Sequence, residues 1–143
     1  MSSQGLQVID HTVQLTHEWI NEVTERLGWA SKRSALHLLR SVLHLVRDRL
    51  STDELAHFSA QLPILIRGML FEGWTPGQPP PSGRSIEAIT SEINKSMGSG
   101  TEFRGIDDIR YVFELLNNRI SRGEVEDVRA NLPEAIRGFW PAP

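Results

Sequence analysis

Apolar residues recur along this chain at helical intervals. Ile9, Val13, Ile20, Val23 and Leu27 keep the three-or-four-residue spacing of a helix that buries one face. The pattern predicts a first helix over about Asp10 to Leu27, closed by Gly28 as a C-terminal cap. A second helix is predicted from about Lys32 to Arg49, where Leu38, Leu39, Val42, Leu45 and Val46 share one side. No run of alternating β-branched residues interrupts this periodicity, so strands are not expected.

The polar positions then show that the chain repeats itself. "LSTDELAHFSAQLPILIRGML" (Leu50 to Leu70) returns as "ISRGEVEDVRANLPEAIRGFW" (Ile120 to Trp140), and Thr16 to Leu70 aligns on Ile86 to Trp140 without a gap, with fourteen identities in 55 positions. Glu22/Glu92, Gly28/Gly98, Arg49/Arg119, Ser51/Ser121, Glu54/Glu124 and Pro63/Pro133 are among the matched pairs. A gapless match of this length signals duplication. The copies span 10–72 and 86–141, and the Pro/Gly-rich segment "GWTPGQPPPSGRS" at 73–85 links them. Each copy reads as four helices. In the second, the first two are expected over Ile86 to Met97, with Ser85 as N-cap, and Ile106 to Arg119.

Much of the repeated wording is helix punctuation. "STDE" and "SRGE" fit the capping box, in which Ser51 and Ser121 accept from the backbone three residues on and Glu54 and Glu124 reach back to the serine N–H. Leucine before proline ends that short helix, and Pro63 and Pro133 suit the first position of the next. The expectation is an all-α single domain over 1–143: a bundle of about eight helices from two tandem four-helix copies with pseudo-two-fold symmetry. The short linker and the tryptophans that end each copy, Trp74 and Trp140, favour one shared core. Those two indoles are expected to pin the linker and the tail, whereas an exposed Trp29 would mark a contact surface.

"RSVLHLVRDRLSTDELAHFSAQLPILIRGMLFEGW", followed by "RISRGEVEDVRANLPEAIRGFWP", resembles the bacterial family catalogued as domain of unknown function 2267, over nearly the whole chain. The resemblance implies a small, soluble, all-helical bacterial protein. It implies no activity, so no functional residue is carried over. The departure is "EINKSMGSGTEFRGIDD", where the second copy is looser than the first.

Composition narrows the function. The 143 residues are 39% apolar and 23% charged, with net charge −3 and no cysteine. Disulfides, thiolate metal sites and cysteine nucleophiles are excluded, and a reducing cytoplasm suits such a chain. A pI near 5.9 argues against nucleic acid as a partner. No stretch approaches the roughly 20 apolar residues of a membrane span, and the N-terminus does not read as a signal peptide.

The charged positions offer two candidate sites. Arg33, His37, Arg40, His44 and Arg47 fall within an arc of roughly 80° on the second helix. This basic stripe has three readings: a solvated face, a contact with an acidic partner or a second protomer, or a phosphate or nucleic-acid site that the acidic net charge disfavours. The equivalent positions in the second copy are Phe103, Asp107, Arg110, Glu114 and Asn117. Separately, Glu54 and His57 have the Glu-x-x-His spacing of carboxylate-bridged metal bundles, with Glu124 and Asp127 at the matching positions. The capping role of Glu54 and Glu124 explains that spacing better. The four repeated arginines, at 49, 119, 67 and 137, suit helix C-termini, and a buried one is expected to pair with Glu54 or Glu124. No nucleophile motif, phosphate loop or H-E-x-x-H appears. The best reading is a non-catalytic interaction module without a cofactor, acting through the basic face of the second helix on a protein partner or another copy of itself. The runner-up is a small-ligand or metal-binding protein using His37, His44, His57 and Glu54, since all five histidines lie in the first copy.

Overall fold

The computed structural model describes residues 5–143. Among them are eight helices and no strand: α1 Gln7–Leu27, α2 Lys32–Arg47, α3 Thr52–Ala60, α4 Ile64–Leu70, α5 Ile86–Met97, α6 Ile106–Arg119, α7 Arg122–Ala130 and α8 Glu134–Phe139. The bounds of α3 and α7 differ by the 70-residue offset of the repeat. Helix α1 begins three residues earlier than the apolar pattern predicts. It ends where Gly28 takes the left-handed conformation (φ 69°, ψ 24°), which glycine reaches without a Cβ clash, and the Gly28 N–H donates to Thr24 and Glu25. Pro63 and Pro133 sit one position ahead of the expected place. They are N-caps with extended backbone (ψ 147° in both), and the helix starts at the residue after each.

The helices bury one continuous core drawn from both copies. Helix α1 packs on α2 and α4, but also on α6 of the other copy, while α5 packs on α2 and on α8. Helices α2 and α6 touch each other, as do α3 and α7. Trp19, Leu39 and Val42 from the first copy and Ile93, Val112 and Phe113 from the second are all at most 2% exposed. Trp29 is buried too, so it offers no contact surface. Trp140 does pin the tail: its ring stacks on Phe113 at 4.4 Å, and its indole N–H donates to Asn117 Oδ1 at 2.8 Å. Trp74 packs edge-on against Phe71 and faces the linker prolines across a cleft of about 470 Å³.

Charged residues stitch the copies together in reciprocal fashion. Arg49, with its side chain only 2% exposed, reaches Glu92 at 3.0 Å. Arg119 reaches Glu22 at 2.8 Å. The expected partners, Glu54 and Glu124, do not take this role. Arg119 ends α6, whereas α2 stops at Arg47, two residues short of the expected end, and Arg49 follows it; each arginine reaches the repeated glutamate on the first helix of the other copy. The loop before α6 adds a second clasp. Arg104 Nη2 donates to the Leu27 carbonyl at 2.7 Å, and the Glu102 carboxylate accepts from the Ala30 and Ser31 amides at 3.0 and 3.1 Å. So the segment that breaks the repeat most is the one that holds the turn between α1 and α2.

Candidate interaction surface

The basic stripe does not form one solvated face. Arg33 and His37 are exposed, but the three residues that follow turn onto α4. Arg40 makes a two-pronged contact with the Glu72 carboxylate, at 3.0 and 3.1 Å. His44 Nε2 lies 2.7 Å from the Met69 carbonyl. Arg47 is buried and donates from Nη1 to the carbonyls of Leu70 at 2.9 Å and Glu72 at 2.7 Å. The Met69 carbonyl also accepts from the Glu72 N–H at 3.3 Å, and cations at a helix C-terminus satisfy both the lone pairs and the dipole. Burial pushes the His44 ring below its usual pKa, and Arg47 adds to that shift against the opposing Met69 carbonyl. The neutral ring with Nε2 protonated is thus the donor to Met69.

The acidic counterpart on α6 is also engaged within the molecule. Asp107 pairs with Arg110, Glu114 meets Arg26 at 3.3 Å, and Asn117 Nδ2 donates to the Pro141 carbonyl at 2.8 Å. A dimer that sets one stripe against the other would have to break these contacts first.

The metal alternative fares no better. Glu54 and His57 on α3 face Glu124 and Asp127 on α7 across a small cleft of about 150 Å³. Yet no group of three or more His, Asp or Glu side chains among the described residues is placed to hold a metal ion. Ser51 and Glu54 complete a full capping box: the Ser51 Oγ accepts from Glu54 N–H at 3.2 Å, and Glu54 accepts from Ser51 N–H at 2.8 Å. Ser121 makes only half of one. Its Oγ accepts from Glu124 N–H, but its own N–H donates to Gln61 Oε1 at 3.2 Å, so the Glu124 carboxylate is left out of the cap.

What the molecule does expose is apolar. Leu6, Val8 and Ile9 at the start of α1 are 53–61% exposed, and Ile64 and Leu65 at the start of α4 are 55% and 42% exposed. The two helix starts are joined where the Leu65 N–H donates to the Thr12 hydroxyl at 3.0 Å. Ile9 was the first member of the helical apolar pattern, and that pattern runs past the edge of the core here. The positions equivalent to Ile64 and Leu65 in the second copy are Glu134 and Ala135. Sequence patterning reads apolar spacing as core; the signal that marks this patch is the mismatch between copies at those two positions. Glu22, Glu92, Gln61, Glu72 and Glu102 were likewise not singled out as contacts. Repeated opposite charges at Glu22/Glu92 and Arg49/Arg119 were the available hint of the reciprocal pairs.

No helix among the described residues is long and apolar enough to cross a membrane. Comparison with curated proteins finds no match. A family model described as "Uncharacterized conserved protein (DUF2267)" matches residues 16–139, which take in all eight helices apart from the first nine residues of α1. The chain therefore belongs to the DUF2267 family of uncharacterised conserved proteins.

Proposed function

We propose that this protein is a cytoplasmic, non-catalytic interaction module, made of two copies related by an approximate two-fold axis, and that its contact surface is the apolar patch of the first copy. The occupant of the patch is a second molecule of the same chain. The observation that carries this reading is the concentration of exposed apolar side chains. Among the described residues, five of the six large ones lie at the starts of α1 and α4. The mirrored packing of α1 on α6 and α5 on α2, with the mirrored pairs Arg49–Glu92 and Arg119–Glu22, supports the two-fold relation. The basic face of α2 contributes only Arg33 and His37 to an exposed surface.

The size of the patch argues for self-association of a weak kind. A stable interface of standard size takes about 20–30 residues a side. A contact about a two-fold axis uses the same residues twice, so a small patch meets its own likeness. Five apolar side chains fit a weak, concentration-dependent dimer. Sedimentation velocity from micromolar to millimolar protein tests this. The wild type should shift from monomer towards dimer, and Ile9→Glu/Ile64→Glu should remain monomeric. Glutamate already stands at the position equivalent to Ile64, so the fold has room for it. A wild type that stays monomeric throughout would sink the proposal, as would a variant that dimerises equally well.

A further inference from the structure

The seam between α3 and α7 holds a group with no structural assignment. Duplication placed Glu54 and Glu124 at equivalent cap positions, but only Glu54 is held there. Gln61, from the turn after α3, takes the Ser121 amide that Glu124 would otherwise accept from. The Glu124 side chain is half-buried and lines the cleft with Asp127 one turn on, His57 opposite and Asn131 beyond. No hydrogen bond to its carboxylate is found among the described residues, in contrast to Glu22, which has three donors. Three carboxylates and one imidazole thus meet where α3 and α7 pack.

We propose that the α3–α7 seam is a proton-sensitive latch, held loosely while Glu124 repels Asp127 across one helix turn and tightened when Glu124 takes up a proton.

The charges around the seam leave little else to respond. On α7, Arg122 is paired with Glu126 at 2.9 Å. On α6, which also packs on α7, Arg119 is turned to Glu22 and Glu18. On α3, Glu54 is fixed by the Ser51 amide. Glu124 and Asp127 are three apart on one helix, where like charges repel, and no cation other than His57 lines their cleft. Burial, then Asp127, pushes the Glu124 carboxyl above its ordinary range, while His57 opposes the shift. A carboxyl raised in the folded state stabilises below its unfolded value, and that contribution is lost as pH rises through the folded value. The seam is therefore tighter in acid.

Native-state hydrogen exchange of the whole protein tests this. Protection of the Val125 and Val128 amides is measured at about pH 7 and about pH 4.5, corrected for the intrinsic rate and referred to α2 amides in the same molecule. The wild type should gain about twofold in α7 protection on acidification, the size of one like-charge contact on a helix. Glu124→Gln should hold the higher protection at both pH values, and His57→Gln, which removes the group opposing the rise at Glu124, should enlarge the gain. Flat or falling relative protection in the wild type overturns the latch, and this reading stands without either variant. A Glu124→Gln protein that keeps the full pH response overturns it too.

Discussion

At the end of α4, two cationic or titratable side chains from α2, His44 and Arg47, satisfy three carbonyls. At the end of α8, Asn117 stands in the place of Arg47 and works without charge. It donates to Pro141 and accepts from the Trp140 indole, whose ring lies flat on Phe113. Both copies therefore bring an arginine to the carbonyls of the same helix end, but from different helices: Arg47 of α2 at α4, and Arg129 of α7 at α8, where Asn117 and the aromatic stack add neutral contacts. The comparison explains the basic stripe. Arg40, His44 and Arg47 face the carbonyls and the Glu72 carboxylate at the end of α4, and α6 lacks such a stripe where Arg129 of α7 holds the carbonyls at the end of α8.

The largest test of this comparison lies in the reciprocal ion pairs. Arg49 is 2% exposed and also holds the Leu45 and Gly83 carbonyls, whereas Arg119 is 27% exposed. Arg49→Ala takes the donor from the Leu45 and Gly83 carbonyls as well as from Glu92, so it should cost about 3 kcal/mol. Arg119→Ala, at a more solvated pair, should cost about 1 kcal/mol. Urea unfolding of both variants decides it, and equal losses would mean that the two pairs are energetically alike despite their burial.

The next pair of variants addresses the helix ends directly. Arg47→Ala leaves the Leu70 and Glu72 carbonyls without their charged donor and should cost about 2 kcal/mol. Asn117→Ala breaks two neutral hydrogen bonds beside a stack that survives, and about 1 kcal/mol is expected. If Asn117→Ala proves the more damaging, the aromatic stack depends on the amide and the two ends are not equivalent solutions.

Acid should weaken the two copies' contacts in different pH ranges. His44 is favoured neutral, so its contribution is present above the usual histidine value of 6.5 and is lost as pH falls below it. Glu22 behaves likewise at lower pH. Burial pushes its carboxyl up, but hydrogen bonds from Asn118, Arg26 and Arg119 outweigh that and hold it below 4.5. Its contribution is lost only as pH falls through that lowered value. A His44→Gln variant should therefore lose less stability than wild type between about pH 7.5 and about pH 5.5. An identical pH slope in the two proteins would show that the ring is not buried as a neutral donor.

These contrasts also show what was legible beforehand. Elements were: α5 and α6 lie where caps and periodicity put them, because Ser85, Gly98 and the apolar spacing act within one helix. The first capping box was legible for the same reason. Long-range polar partners were not. Ser121 looked like Ser51, yet Gln61, 60 positions away in sequence, displaced Glu124 from the second box. The stripe on α2 was visible as an arc of charge, but nothing local told that α4 would end against it. Ile9 fitted the helical period and still faces solvent, because α1 extends beyond the core that α5, nine residues shorter, helps to define.

The smallest expected effect is at the start of α2. Helix α6 opens with Asp107 and Asp108 in its first turn, the favourable sign for a helix N-terminus. Helix α2 opens with Lys32 and Arg33 and has no acid in its first turn. The missing charge comes from the other copy: Glu102 accepts from the Ala30 and Ser31 amides, beside the Ser31 cap. Glu102→Gln keeps an acceptor and removes the charge, so it isolates the dipole contribution, about 0.5 kcal/mol for an exposed site. That loss should shrink as salt is raised, since the site is open to solvent and screened. Asp107→Asn, at the start of α6, is the matched control, because that helix retains the buried Asp108. A Glu102→Gln loss that persists unchanged in high salt would point to lost hydrogen-bond geometry instead. The clasp between copies would then be steric rather than electrostatic.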